Sequence, residues 1–159
     1  GGHEATAAIA LAFRTTDPAL LHYRDTSFQI MRQFVSGRSD DDVVRDLMRS
    51  YTVSALDTVT GGRHKALGDH SLNIIPTTST IASHFPRAVA LAASIPLSKR
   101  FEIDPTFPAD SVVIGSGGDA SLNNAAFQTA VNFLKFTYLG RNIKCPSLLM
   151  VMDNKIGIS

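Results

Sequence analysis

Residues 112–136, VVIGSGGDASLNNAAFQTAVNFLKF, hold the groups whose types and spacing could do chemistry. An apolar run ends in Gly115, Gly117 and Gly118 and passes into an amphipathic helical pattern. A glycine turn between strand and helix leaves backbone N–H groups bare, and a helix N-terminus attracts a phosphate. Asp119 stands at that mouth, where its negative charge would repel the anion. A divalent cation between the two removes the conflict. Magnesium takes near-octahedral oxygen ligands, one or two from protein carboxylates and the others from phosphates and water. A second oxygen donor follows the next apolar run, at Asp153-Asn154 after SLLMVM. Adjacent parallel strands bring their carboxyl ends together, and open α/β sheets bind ligands there. Asp119 and the amide oxygen of Asn154 are therefore expected to share a cation, with a backbone carbonyl of the following turn as third ligand.

The same turn fits G-x-G-x-x-A from Gly115 to Ala120, a dinucleotide-binding pattern when a strand precedes it and a helix follows. That pattern wants an acidic residue about 20 positions further on. The available one, Asp153, lies 38 positions beyond Gly115. A nucleotide-dependent oxidoreductase is thus the alternative reading, with a non-catalytic, truncated assembly module as a third. Each acid or amide taken alone has a plain role, Asp as an N-cap and Asn as a turn former. Their pairing at successive strand ends is what points to a metal.

The elements that must position these groups follow from periodicity. EATAAIALAF reads as an alanine-rich helix, apolar on most sides and hence buried, broken at Thr16-Asp17-Pro18. ALLHYR reads as short and extended or irregular. DTSFQIMRQFV has apolar residues at helical spacing and stops near Gly37. Ser39 is placed to cap the next helix, whose leading aspartates 40–42 suit a helix N-terminus. Over residues 58–80 no period is sustained, so a long loop, functional or disordered, is expected. IASHFPRAVALAAS resumes a helix, with Pro86 giving a kink or early turn, and KRFEIDPTFPAD is a polar connection. Strand SVVIGS, helix LNNAAFQTAVNFLKF, strand SLLMVM and the turn DNKIGIS complete the chain. Helices alternating with short apolar strands predict an α/β fold with a mostly parallel sheet.

The 159 residues suffice for one domain with a core. With 44% hydrophobic and 18% charged residues the composition is that of a globular chain. A formal charge of +1, with scattered basic residues, gives no argument for nucleic acid or a membrane surface as partner. No apolar run reaches the roughly 18 residues of a membrane span, and none reads as a signal peptide. Cys145, the single cysteine, excludes an internal disulfide framework and a cysteine zinc cage, and reads as a buried thiol in a reducing compartment. The opening Gly1-Gly2-His3 and the end at Ser159 just after a strand predict a domain, residues 1–159, cut from a longer chain.

GDASLNNAAFQTAVN followed by CPSLLMVMDNKIGIS resembles the thiamin diphosphate motif, in its usual form G-D-G leading to N-N. More narrowly, the chain resembles the α-type, diphosphate-binding half of the decarboxylating component of 2-oxoacid dehydrogenases, the pyruvate and branched-chain (2-oxoisovalerate) enzymes. GGHEATAAIALAF is similar to that family's G-Q-E-A helix, HYRDTSFQIMRQ to its Y-R segment, and TTSTIASHFPRAVALA to its S-x-L-A-x-x-x-P-x-A helix start. These matches run in the family's order. The resemblance implies that Asp119, Asn154 and the carbonyl of Ile156 hold Mg2+. It implies that Gly118 and Ala120 lie against the diphosphate of thiamin diphosphate and that Tyr23 and Arg24 reach the same phosphates. Ser79 would face the pyrimidine side and Ile81 would wedge under the cofactor's bend. His64, in the long loop, is the implied catalytic histidine.

The sequence departs from the family in three places. Ala120 replaces the third motif glycine, Asp153 replaces the first asparagine, and the segment 132–146 is longer. With GGRHK, these features resemble the branch that fuses both halves in one polypeptide. The glutamate that drives ylid formation belongs, in the family, to the pyrimidine-binding β-type half, which is not recognisable here. The implied partners are that half, separate or fused, a second copy giving a dimer or heterotetramer, a lipoyl-bearing acyltransferase and a 2-oxoacid. The implied location is cytoplasmic, or the mitochondrial matrix in a eukaryote. This chain alone is expected to be inactive.

Overall fold

Two residues, Ala19–Leu20, hold the centre of the molecule. In a computed structural model of the chain, which describes residues 2–104 and 106–157, they form β1, the middle strand of a five-stranded sheet. The other strands are β2 (Leu67–Asp69), β3 (Ile74–Thr77), β4 (Val113–Gly118) and β5 (Ser147–Met152). Their order across the sheet is β2-β3-β1-β4-β5. β1 runs parallel to β3 and β4, and β4 parallel to β5, while β2 is antiparallel to β3. Ala19 stands opposite Ile74 on one side and Ile114 on the other. Thr77 Oγ1 donates to Leu21 O at 2.6 Å just beyond the short β1 ladder.

Alternation along β1 sends its neighbours to two cores, because successive side chains leave a strand on opposite faces. Ala19 and Leu21 meet Ala10, Phe28, Leu72 and Ile74 under α1 (Thr6–Ala12) and α2 (Thr26–Val35). Leu20 and Val113 meet Ala88, Ala92 and Ile95 of α4 (Phe85–Arg100) on the other face. α5 (Ala125–Lys135) packs beside α4 through Ala130 against Phe85 and Val89. The fold is thus α/β, a mostly parallel sheet flanked by helices. α3 (Asp40–Tyr51) begins where expected: Ser39 Oγ accepts from Asp42 N at 3.3 Å, and three aspartates fill its first turn. α2 ends at Val35, and Gly37 follows with φ 85°.

Three expectations are corrected. The 58–80 segment is not a bare loop, since β2, a 3-10 turn (His70–Leu72) and β3 lie within it. These strands are too short for a period, and Gly68 and Pro76 interrupt them. The first helix is not buried on most sides: Thr6 and Ala10 are buried, whereas Leu11 is 61% exposed. The polar connection starts later than read, because α4 runs through Pro96 to Arg100. A proline there removes one helical hydrogen bond, and the buried stripe of Ala88, Ala92 and Ile95 against the sheet keeps the helix going. Among the described residues no helix is long and apolar enough to cross a membrane. Cys145 is a free thiol, half-buried beside the α4 core, and burial raises its pKa.

Gly117 is fixed by packing. A Cβ there would sit 2.7 Å from two ring atoms of Phe85, which is fully buried and edge-on to Phe127 at 4.9 Å. Gly117→Ala is expected to cost about 1–3 kcal/mol, the range for overpacking a core, measurable as a lower midpoint in urea.

Candidate cofactor site

The chain leaves β1 towards β3 on one side and later returns to place β4 on the other. In such a sheet the order reverses between β1 and β4, and the crevice outside their carboxyl ends is where open α/β folds bind ligands. A cleft of about 70 Å³ opens there. After β1 come His22, Tyr23 and Arg24, and from the end of β4 come Gly118, Asp119 and Ala120, all lining it. Met152 at the end of β5, with Asn154 and Ile156 beyond it, closes one side, while His3 and Ile81 complete the wall. Eight of the expected residues therefore meet at one place: Tyr23, Arg24, Ile81, Gly118, Asp119, Ala120, Asn154 and Ile156. Two do not. Ser79 is exposed in the bend after β3, and His64 is exposed in the turn before β2; neither lines the cleft. The segment's contribution comes instead from Lys65, whose Nζ donates to Tyr23 O and lies 4.9 Å over the Tyr51 ring.

Local geometry suits an anion with its metal. Asp119 is half-buried in a 3-10 turn (Asp119–Ser121), and no hydrogen bond or ion pair ties its carboxylate to another described residue. A Cβ on Gly118 would meet nothing within 4 Å, so the backbone borders open space at the cleft. Asn154 Oδ1 accepts from Ile156 N at 3.0 Å, folding the loop so that both residues stay at the cleft. Among the described residues no group of three His, Cys, Asp or Glu could hold a metal. A cation here must take further oxygens from the ligand it accompanies, the habit of magnesium with phosphates. The residues present fit a magnesium diphosphate. They fit a dinucleotide less well, because the first two glycines of G-x-G-x-x-A are used by packing: a Cβ at 115 would stand 3.3 Å from Leu149 and one at 117 would crowd Phe85 at 2.7 Å, whereas one at 118 would meet open space.

Beneath the cleft lies a hub that sequence reasoning missed. Asp25 is fully buried at the N-cap position of α2 yet caps nothing with its side chain. Its Oδ1 accepts from His3 Nδ1 at 2.5 Å, and its Oδ2 from His22 N at 3.0 Å and from Ser116 Oγ. Ser116 Oγ in turn accepts from His22 N at 2.9 Å, and Ser116 O accepts from His84 Nε2 at 2.6 Å. One carboxylate thereby joins the N-terminal turn, the Tyr23-Arg24 turn and β4. The signal was available in principle, since an acid directly before a helix can turn inward as readily as cap it.

No protein-family model matches this chain, and no curated protein does.

Burial holds His22 and His84 neutral. His22 stacks against His3 at 4.6 Å and lies 4.2 Å from the Tyr23 ring, and its Nδ1 accepts from Arg24 N at 3.3 Å, so the neutral ring carries its proton on Nε2. Burial, then the nearby charges of His3 and Arg24, push its pKa down to about 3. Burial also lowers His84, against the opposing bond to Ser116 O. Both folded-state pKa values lie below the unfolded value near 6.5. The stability they contribute is complete above that pH and is lost as the pH falls through each ring's lowered value, about 3 for His22, by up to about 1.4 kcal/mol per pH unit for each ring. Urea midpoints measured from pH 7 to pH 4 should fall steadily; a flat profile would contradict this assignment.

Proposed function

We propose that this chain is the diphosphate-binding region of a thiamin diphosphate-dependent 2-oxoacid dehydrogenase, in its decarboxylating component. The observation that carries the reading is the meeting of Asp119, Asn154 and Ile156 with Tyr23, Arg24 and Gly118 at the β1/β4 crevice. Asp119, the Asn154 amide oxygen and the Ile156 carbonyl would hold Mg2+. Arg24 offers a charge-assisted donor to phosphate oxygens, and its guanidinium lies 5.0 Å over the Tyr23 ring, which keeps it near the cleft. Gly118 and Ala120 bring the backbone close to the same phosphates, and Ile81, 45% exposed, supplies an apolar face. Bound thiamin diphosphate supplies the carbanion chemistry that decarboxylates a 2-oxoacid, with the acyl group passing to a lipoyl arm.

What this chain contributes is position and charge. A cleft of about 70 Å³ is far below the roughly 300–1,000 Å³ of a site that encloses a small molecule. It suits one end of the cofactor, with the other end held by a pyrimidine-binding half, separate or fused. A second copy and a lipoyl-bearing acyltransferase would complete the assembly.

The test is calorimetric titration of thiamin diphosphate into the assembly containing the pyrimidine-binding half, with Mg2+ and with chelator. Binding that needs the metal supports the reading. Tight binding of a dinucleotide without metal would move the chain to the oxidoreductase alternative, and binding of neither would favour a non-catalytic assembly module.

A further inference from the structure

The side chain of Gln33, on α2, is fully buried, and both its amide oxygen and its amide nitrogen lack a hydrogen-bond partner. It borders a cavity of about 20 Å³ between α2, α3, the Asp57 turn and β2, separate from the cofactor cleft. Two more groups on that cavity are unspent. Gln29 uses its Oε1 to accept from Gly68 N at 3.1 Å, which leaves its amide N–H2 without a described partner. Asp57, 7% exposed, accepts from Thr60 N at 2.8 Å and Thr60 Oγ1 at 2.6 Å through Oδ2 alone, and Oδ1 takes nothing from a described residue. A buried polar atom without a partner costs about 1–3 kcal/mol, so the two orphaned atoms of Gln33, with two further unspent groups beside them on one small cavity, call for a ligand.

We propose that this cavity is a binding site for one internal water molecule that joins α2 to the Asp57 turn. The size fits, since a single water needs about 10–15 Å³ of such space. So does the valence. The free groups are two amide NH2 groups (Gln29, Gln33) and two oxygen acceptors (Gln33 Oε1, Asp57 Oδ1), and one water can accept an N–H from each amide and donate a proton to each oxygen. A bare cation would leave both N–H donors unpaired. An anion would face Asp57 together with Asp46 and Asp69, which also line the cavity. Those two are already held by Arg38 at 3.1 Å and 2.7 Å. The water fastens the segment that leads from Asp57 to Lys65, and Lys65 holds Tyr23 O. The site does not depend on the proposed function.

Magnetic relaxation dispersion on the full chain counts long-lived internal waters. Gln33→Leu is expected to lose one of them, and a crystal structure that orders internal waters should place it within hydrogen-bond distance of both Gln33 and Asp57. An unchanged count, or a Gln33 amide bonded directly to protein groups, would overturn the proposal. Should Gln33→Leu fail to fold, Asp57→Asn keeps an oxygen on the cavity and should shorten the water's residence time; no change would count against the site. Stability should be the same in sodium, potassium and choline chloride at equal ionic strength, and dependence on the cation would overturn water in favour of an ion.

Discussion

Asp25→Ala will cost about 3–6 kcal/mol of folding stability, read from urea or thermal unfolding. The carboxylate is fully buried and takes three donors, His3 Nδ1, His22 N and Ser116 Oγ. Alanine cannot accept from any of them, and each buried donor left unpaired costs about 1–3 kcal/mol. Relaxation recovers part of that, because Ser116 Oγ can still accept from His22 N. Against a total stability of about 5–15 kcal/mol for a domain, the loss is large. Asp25→Asn keeps one acceptor oxygen and is expected to lose about half as much. An alanine variant within about 0.5 kcal/mol of the parent chain, the range of a plain surface change, would show that the hub is not what joins the N-terminal turn to β4.

Asp119→Ala should have the opposite profile. Its carboxylate is bonded to no other described residue, so stability should stay within about 0.5 kcal/mol. Magnesium-dependent binding of thiamin diphosphate should weaken by at least about 100-fold, since even outer partners of metal ligands are worth about 10–100-fold. The variant also removes the one negative charge at the mouth after β4, so any residual diphosphate binding should lose its dependence on the metal. Unchanged affinity in the assembly with the pyrimidine-binding half would refute the metal role of Asp119.

The site was legible because its residues follow strands whose own signals are strong. β5 falls where SLLMVM predicts it, and β4 is displaced by only two residues from SVVIGS. Two such runs, each ending in a polar turn, bring Asp119 and Asn154 to the same cleft through the pairing of Gly118 with Met152. β2 and β3 were illegible for a physical reason. Three or four residues give no period, and Pro76 cannot donate to a ladder, so only tertiary pairing makes Ile74–Thr77 a strand. Pro96 sits where local propensity disfavours a helix, and packing on the sheet overrides propensity there. Asp25 was illegible because capping and burial look alike in sequence; what separates them is the direction of the side chain, set by Ser116 from a strand far along the chain.

The two-residue central strand also constrains how a newly made chain can acquire this shape. Ala19 finds its ladder partners at Ile74 and Ile114, and contacts so distant along the chain close slowly. As the ribosome extrudes the polypeptide, the first hundred residues can form helices, but the middle of the sheet has one flank missing until β4 emerges. The nascent chain should therefore stay open to proteases up to that point and become protected abruptly afterwards.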